Sequence, residues 1–182
     1  MSKEKKLHRK IQEMTKRSLG ILGLPNNISI FFESIGDRFQ TLENASELEC
    51  NKLYVNIDWL NLMETQNNES EIRLLIYHEM RHVYQISQIT KWRNRQQVKE
   101  DLVTITRWEA EFSQYRRNVG NSSTLFYYRQ FVEIDAYAFG IYLLNLDVDR
   151  GEKLKLETKS LPDEVFPAIM RRVQEITNKY KK

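Results

Sequence analysis

Residues 69–89 read ESEIRLLIYHEMRHVYQISQI, and this stretch has the spacing of an amphipathic α-helix. Asn68 can cap the helix, because it lies three positions before a glutamate and is followed by acidic residues in the first turn. Apolar residues recur at helical spacing from Ile72 to Ile86, and no glycine or proline interrupts the run. The pattern predicts a continuous, half-buried helix over about residues 69–89.

The middle of this helix carries the pentad His78-Glu79-Met80-Arg81-His82, which contains two of the chain's 3 histidines. Residues four apart lie on one face of a helix, so both imidazoles can reach a single metal ion. In the pattern HExxH the histidines bind zinc and the glutamate accepts a proton from water. We therefore expect one zinc ion per chain, with Glu79 as a general base. The competing interpretation is a metal-free core helix whose histidines are hydrogen-bonded.

A third zinc ligand is needed, and the other histidine and the one cysteine, His8 and Cys50, lie far away in the sequence. A carboxylate is therefore expected. Residues 131–140 read FVEIDAYAFG, a second apolar helix that carries two acids. Two positions apart, these acids point in different directions, so only one can face the histidines. Glu133 has the longer reach and is the first candidate; the open alternatives are Asp135, Glu109 and Glu111.

The two motifs together resemble those of the gluzincin metallopeptidases, whose third zinc ligand is a glutamate on a later helix. The chain is most similar to the small ImmA/IrrE-like group, in which the downstream motif runs roughly Glu-x-Glu-Ala-Asn-x-Phe-Ala. Here residues 133–139 read EIDAYAF, with Asp135 for the second glutamate and Tyr137 for the asparagine. The resemblance covers about residues 27–145. It implies a minimal zincin-like fold and zinc-dependent hydrolysis of peptide bonds in a protein substrate.

The residues that surround the three ligands are harder to assign from the sequence. With Tyr137 in place of asparagine, the groups that orient a ligating histidine must differ from those of the family. The candidates for supporting a ligand or stabilising an oxyanion are Tyr137, Asp135, Tyr127, Tyr128 and Arg129. Gln85 also follows His82 at helical spacing, but a surface amide is the favoured interpretation.

The rest of the chain predicts one α+β domain over residues 1–182, in which a small antiparallel or mixed three-stranded sheet packs on a helical bundle. Gly20, Gly23 and Pro25 are expected to end the N-terminal helix. Strands are expected within about residues 27–59, at 28–32, 39–42 and 53–57, and the last of these is a candidate sheet edge for a docking peptide. Helices are expected at about 5–19, 69–89, 98–115, 124–145 and 162–180, with a charged connector at 147–159.

The composition favours a globular cytoplasmic protein. The chain has 182 residues, 41% of them hydrophobic, which is enough for one core. Residues 1–17 are basic without a long apolar run, so we expect neither a signal peptide nor a membrane span. The net charge is +3, and the basic clusters at 3–10 and 171–182 are interpreted as solvated ends, so nucleic-acid binding is not the expected function. Cys50 is expected to be a packing residue.

Two other functions stay open at this point. The first is a catalytically weak or inactive binding or regulatory protein that keeps a zincin-like fold, from a mobile element. The second is a metal-free helical module that binds nucleic acid through its basic ends, with a steep dependence on salt.

Overall fold

The computed structural model describes residues 3–115, 124–152, 154 and 161–181. Over these ranges the chain is α+β, as predicted, with seven helices and one three-stranded mixed sheet. The helices are α1 (Lys3–Leu22), α2 (Ile57–Thr65), α3 (Glu69–Arg93), α4 (Leu102–Ser113), α5 (Thr124–Tyr128), α6 (Phe131–Asp149) and α7 (Phe166–Tyr180). The strands are β1 (Ser29–Glu33), β2 (Ser46–Glu49) and β3 (Lys52–Asn56).

Helix α3 is the central element and carries the pentad. It begins where predicted, and the Asn68 side chain accepts a hydrogen bond from the backbone N–H of Glu71 at 3.4 Å. It continues one turn beyond the predicted end, to Arg93, with Lys91 and Arg93 in the last turn, where cations favour the helix dipole. Helix α3 packs against α1, α4 and most extensively against α6, while α7 covers the other side of α6.

Gly140 of α6 lies close to α3. A Cβ atom at this position would lie 2.7 Å from Leu74 Cδ1, 3.4 Å from the Leu74 carbonyl oxygen and 3.8 Å from the backbone nitrogen of His78. The absence of a side chain therefore lets the two helices that carry the candidate ligands come together.

The sheet has the strand order β1-β3-β2, with β1 parallel and β2 antiparallel to β3. The prediction that residues 53–57 form a sheet edge is wrong, because β3 is the central strand. The predicted strand 39–42 is also wrong: Phe39 is buried in a loop and makes only an isolated bridge to Ile35. The second strand is β2, which pairs with β3 through a tight turn at Cys50, where φ is 54°. Cys50 is exposed, so its expected packing role is also wrong.

Several helices begin or end at residues other than those predicted. Helix α1 runs through Gly20 to Leu22, and Gly23 ends it with a φ of 67°. Helix α4 starts at Leu102 because the Asp101 side chain accepts from the backbone N–H of Thr104. The predicted helix 124–145 is two helices, separated at residues 129–130, and α6 continues to Asp149, into the predicted connector. Residues 153 and 155–159 of that connector lie outside the described residues. The last helix begins at Phe166 instead of 162.

The helix crossing gives a first prediction. Gly140→Leu should lower the free energy of unfolding by about 1–3 kcal/mol, because the new side chain must push α3 and α6 apart. Urea denaturation measures the change. Gly20→Leu is the matched control: Gly20 lies exposed within α1, and no described atom lies within 4 Å of the place that its Cβ would take, so stability should change by less than about 1 kcal/mol. Equal stability of the two variants would contradict the close crossing.

Candidate metal centre

Three buried side chains from α3 and α6 converge on one point. His78 Nε2 lies 3.3 Å from Glu133 Oε2, and His82 Nε2 lies 3.2 Å from Glu133 Oε1. The two Nε2 atoms are 2.9 Å apart. The exposed fractions are 4% for His78, 7% for His82 and 0% for Glu133. The structure thus brings together the three predicted ligands, in an arrangement that could hold a metal ion.

One carboxylate oxygen of Glu133 accepts hydrogen bonds from the protein, and the other accepts none from the described residues. The Tyr115 hydroxyl donates a hydrogen bond to Oε1 at 2.5 Å, and Tyr127 also bonds to this carboxylate. Oε2 is buried and has no hydrogen-bond partner among the described residues. A buried oxygen without a partner costs free energy, and a cation between Oε2 and the two imidazoles removes that cost. The donor set therefore fits a metal ion.

The charges within this group depend strongly on one another. Burial raises the pKa of Glu133, but the neighbouring His82 and His78 lower it by more than burial raises it, so the net shift is downward. Burial lowers the pKa of His82, while the Glu133 carboxylate outweighs that effect and raises it to about 9. Without metal the group is thus an ion pair, in which a proton on the imidazole occupies the place that a metal ion can take.

Gln85 orients one of the two imidazoles. Its Oε1 atom lies 2.8 Å from His82 Nδ1, and its Nε2 atom donates to Asp135 Oδ2 at 2.8 Å and to the Val132 carbonyl at 3.0 Å. Because an amide oxygen only accepts, His82 carries hydrogen on Nδ1, and Nε2 remains for a metal. The interpretation of Gln85 as a surface amide is wrong, since this side chain is 0% exposed.

Asp135 supports the site through Gln85 and is not available as a ligand. Its carboxylate accepts hydrogen bonds from Arg81 Nε at 2.7 Å, Arg81 Nη2 at 3.1 Å and Arg172 Nε at 2.7 Å. Burial raises the pKa of Asp135, but these two guanidinium groups lower it to about 2. Arg172 belongs to the basic cluster 171–182, so the expectation that this cluster is only a solvated end is wrong.

The other two alternative ligands are also engaged elsewhere. Glu109 pairs with Arg93 at 2.5 Å on an exposed part of α4. Glu111 Oε2 accepts from the backbone N–H of Val132 at 2.9 Å, so it satisfies a donor at the start of α6. Of the four acids considered from the sequence, only Glu133 faces the histidines.

Tyr137 packs on the other histidine. Its ring centroid lies 4.3 Å from that of His78, and it also pairs with Tyr128. His78 Nδ1 is buried and has no hydrogen-bond partner within the described part of the chain. Tyr137 therefore covers His78 and does not orient it. The remaining candidate, Arg129, is exposed in the break between α5 and α6.

Glu79 lies beside the three candidate ligands but is only half-buried. Its Oε1 atom accepts a hydrogen bond at 2.8 Å from the hydroxyl of Ser46, the first residue of β2. The Glu79 carboxylate therefore lies near solvent, between the histidine pair and the sheet. Neither Ser46 nor Tyr115 was predicted from the sequence, because neither lies in a motif.

Comparison with protein-family models, with curated proteins and with solved structures found no match to this chain. Within the described ranges, no helix has the length and apolar character needed to cross a membrane.

The bridge from His82 to Asp135 can be tested by removing it. Gln85→Met should lower the affinity for a divalent metal ion by about 10–100-fold, because His82 loses the acceptor that sets its tautomer. Competition with a chelator of known affinity measures this change. Gln174→Met, at an exposed position of α7, is the control and should leave the affinity unchanged. An unaltered affinity in Gln85→Met would contradict the orienting role.

The charge pair between Asp135 and Arg81 predicts a pH dependence of folding. Because the pKa of Asp135 falls from 3.8 to about 2 in the folded protein, its carboxylate stabilises the fold above pH 4 and loses that effect as the pH falls towards 2. The difference in unfolding free energy between wild type and Asp135→Asn should therefore shrink by about 2 kcal/mol from pH 5 to pH 2. Urea titrations at several pH values measure it, and a constant difference would contradict the ionised pair.

Proposed function

We propose that this protein is a zinc-dependent metallopeptidase in which His78, His82 and Glu133 hold the ion and Glu79 is the general base. The observation that carries the proposal is the position of Glu79. It is sequence-adjacent to a ligand, lies outside the buried His-His-Glu group and keeps part of its surface exposed. A purely structural metal site does not require a partly exposed carboxylate beside its ligands.

The spacing of the three donors supports zinc. Ligands at 2.0–2.1 Å in a tetrahedral arrangement lie about 3.3 Å from one another. Here His78 Nε2 lies 3.3 Å from Glu133 Oε2 and 2.9 Å from His82 Nε2, and His82 Nε2 lies 3.2 Å from the other carboxylate oxygen, Oε1. Two imidazole nitrogens and one carboxylate oxygen suit zinc better than magnesium or calcium, which prefer oxygen alone. Three protein ligands are also the number found in catalytic zinc sites, where the fourth position is left for water or substrate.

The residues of this chain have distinct parts in such a reaction. A zinc ion held by His78, His82 and Glu133 would supply a Lewis acid able to polarise a peptide carbonyl and lower the pKa of water. Glu79 accepts the proton of the attacking water and then transfers it to the leaving amine. Ser46 holds Glu79 Oε1, so Oε2 is the oxygen left for proton transfer. Tyr115 and Gln85 hold Glu133 and His82 in place.

The proposal includes a minimal zincin-like fold and a place for the substrate. Strand β2 pairs with β3 on one side only among the described strands, and its first residue contacts Glu79. An extended peptide that adds to the other edge of β2 would pass beside the general base. We therefore propose β2 as the docking edge, in place of residues 53–57, which were expected from the sequence.

One observation favours the second function, a zincin-like binding or regulatory protein with little activity. His78 Nδ1 has no described partner, and Tyr137 covers the ring instead of orienting it. A ligand without such support binds metal less tightly. This alternative predicts a stable complex with a partner protein that Glu79→Gln leaves intact.

The role of Glu79 can be tested directly. Glu79→Gln should lower the cleavage of fluorescently labelled casein by at least about 100-fold, because the amide cannot accept the proton of water. Zinc content, measured by elemental analysis, should stay the same. Glu164→Gln, an exposed control, should keep full activity. Undiminished cleavage by Glu79→Gln would refute the proposal, and a zinc-loaded wild type without any cleavage would favour the binding protein.

A further inference from the structure

We propose that a cavity separate from the metal centre binds a small phosphate-bearing molecule. The cavity has a volume of about 600 Å³ and lies between α1, the first turns of α3 and the end of α6. Six cationic side chains line it: Lys6, Arg9, Lys10, Arg17, Arg73 and Arg150. Three of them belong to the basic cluster 3–10, which was expected to be a solvated end, and Lys6 and Arg9 are indeed exposed.

The acids in the cavity are already paired. Glu13 lies 3.5 Å from Arg9, Glu69 lies 2.6 Å from Lys10, and Glu152 lies 3.3 Å from Arg73. The fourth acid is Asp147, which is buried. It accepts from Arg73 Nη1 and from the Tyr77 hydroxyl at 2.7 Å each, and also from Arg17. These acids therefore need no further cation.

Two cations are left over. Within the described part of the chain, neither Lys6 nor Arg150 has an acidic partner within ion-pair distance, and both are exposed. With six cations against four acids, the lining has an excess of two positive charges. A cavity with such an excess attracts and holds anions.

Arg17 adds unused donors to this excess charge. Its Nη1 atom binds Asp147 and Tyr77, but Nε and Nη2 are buried and have no hydrogen-bond partner among the described residues. Nε and Nη2 form one edge of the planar guanidinium group, and such an edge binds two oxygens of a phosphate or carboxylate at once. Buried N–H groups without an acceptor are costly, so an oxyanion that reached this edge from the cavity would remove that cost.

The charge and the volume together indicate the class of ligand. A singly charged carboxylate would neutralise only half of the excess, whereas a phosphate compound with two or more negative charges neutralises all of it. A volume of about 600 Å³ is within the usual range for small-molecule sites, which is roughly 300–1,000 Å³. The site therefore suits a soluble phosphate compound or the phosphate headgroup of a lipid.

Calorimetric titration of the full chain with inorganic pyrophosphate, at constant ionic strength, tests the site. We expect one pyrophosphate per chain. The double variant Lys6→Gln/Arg150→Gln should bind at least about 10-fold more weakly, because it loses the two unpaired cations. The matched control, Lys52→Gln/Arg171→Gln, removes the same charge from exposed positions outside the cavity and should bind as wild type does. Neither pair touches the metal centre, so the result does not depend on metal or on peptidase activity.

A parallel experiment with phosphatidic acid vesicles separates the two sources of phosphate. Binding of pyrophosphate alone assigns the site to a soluble ligand. Vesicle binding that Lys6→Gln/Arg150→Gln weakens and the control variant does not would assign it to a lipid headgroup. Absence of binding to both probes overturns the proposal, as does equal weakening in the two double variants, since binding would then follow net charge alone.

Discussion

Polar groups buried between α3 and α6 determine how the helices around them must pack. Two histidines and a glutamate lie between these helices with little exposure, and such groups are stable only when each finds a partner. The partners extend outward in order: Gln85 contacts His82, Asp135 contacts Gln85, and Arg81 and Arg172 contact Asp135. Through Arg172 this network reaches α7, so one set of hydrogen bonds sets the positions of three helices. The close approach at Gly140 lets the network form.

The three candidate ligands could be predicted from the sequence because the signals that point to them are local. The spacing of His78 and His82 places them on one helix face, and a carboxylate in an apolar helix needs a cation nearby. The choice between Glu133 and Asp135 was less certain, since both lie on the same short segment. The decision comes from Arg81 and Arg172, which occupy Asp135 from elements distant in sequence. Gln85, Tyr115 and Ser46 depend likewise on how separate elements pack, and no pattern within one element indicates that packing.

In the fold, too, elements with local sequence signals were predicted, whereas elements that depend on pairing with another segment were not. Helix α3 was predicted well because its cap and its apolar spacing lie in the sequence itself. Strand β2, with the sequence SELE, has no strong strand propensity and exists because it pairs with β3 across the turn at Cys50. Residues 39–42 alternate as a strand would, yet they have no partner strand in the described structure. The cationic cavity was not predicted for a similar reason, because its cations come from α1, α3 and the residue that follows α6 and appear as ordinary surface charge in the sequence.

Anomalous diffraction from crystals grown with zinc can locate the ion proposed to lie between α3 and α6. We expect a single strong anomalous peak bonded to His78 Nε2, His82 Nε2 and Glu133 Oε2, at about 2.0–2.2 Å from each. Glu79 should lie next to the ion without bonding to it. A zinc peak only at exposed acids, or a fully occupied ion bound by Asp135 in place of Glu133, would refute the proposed site.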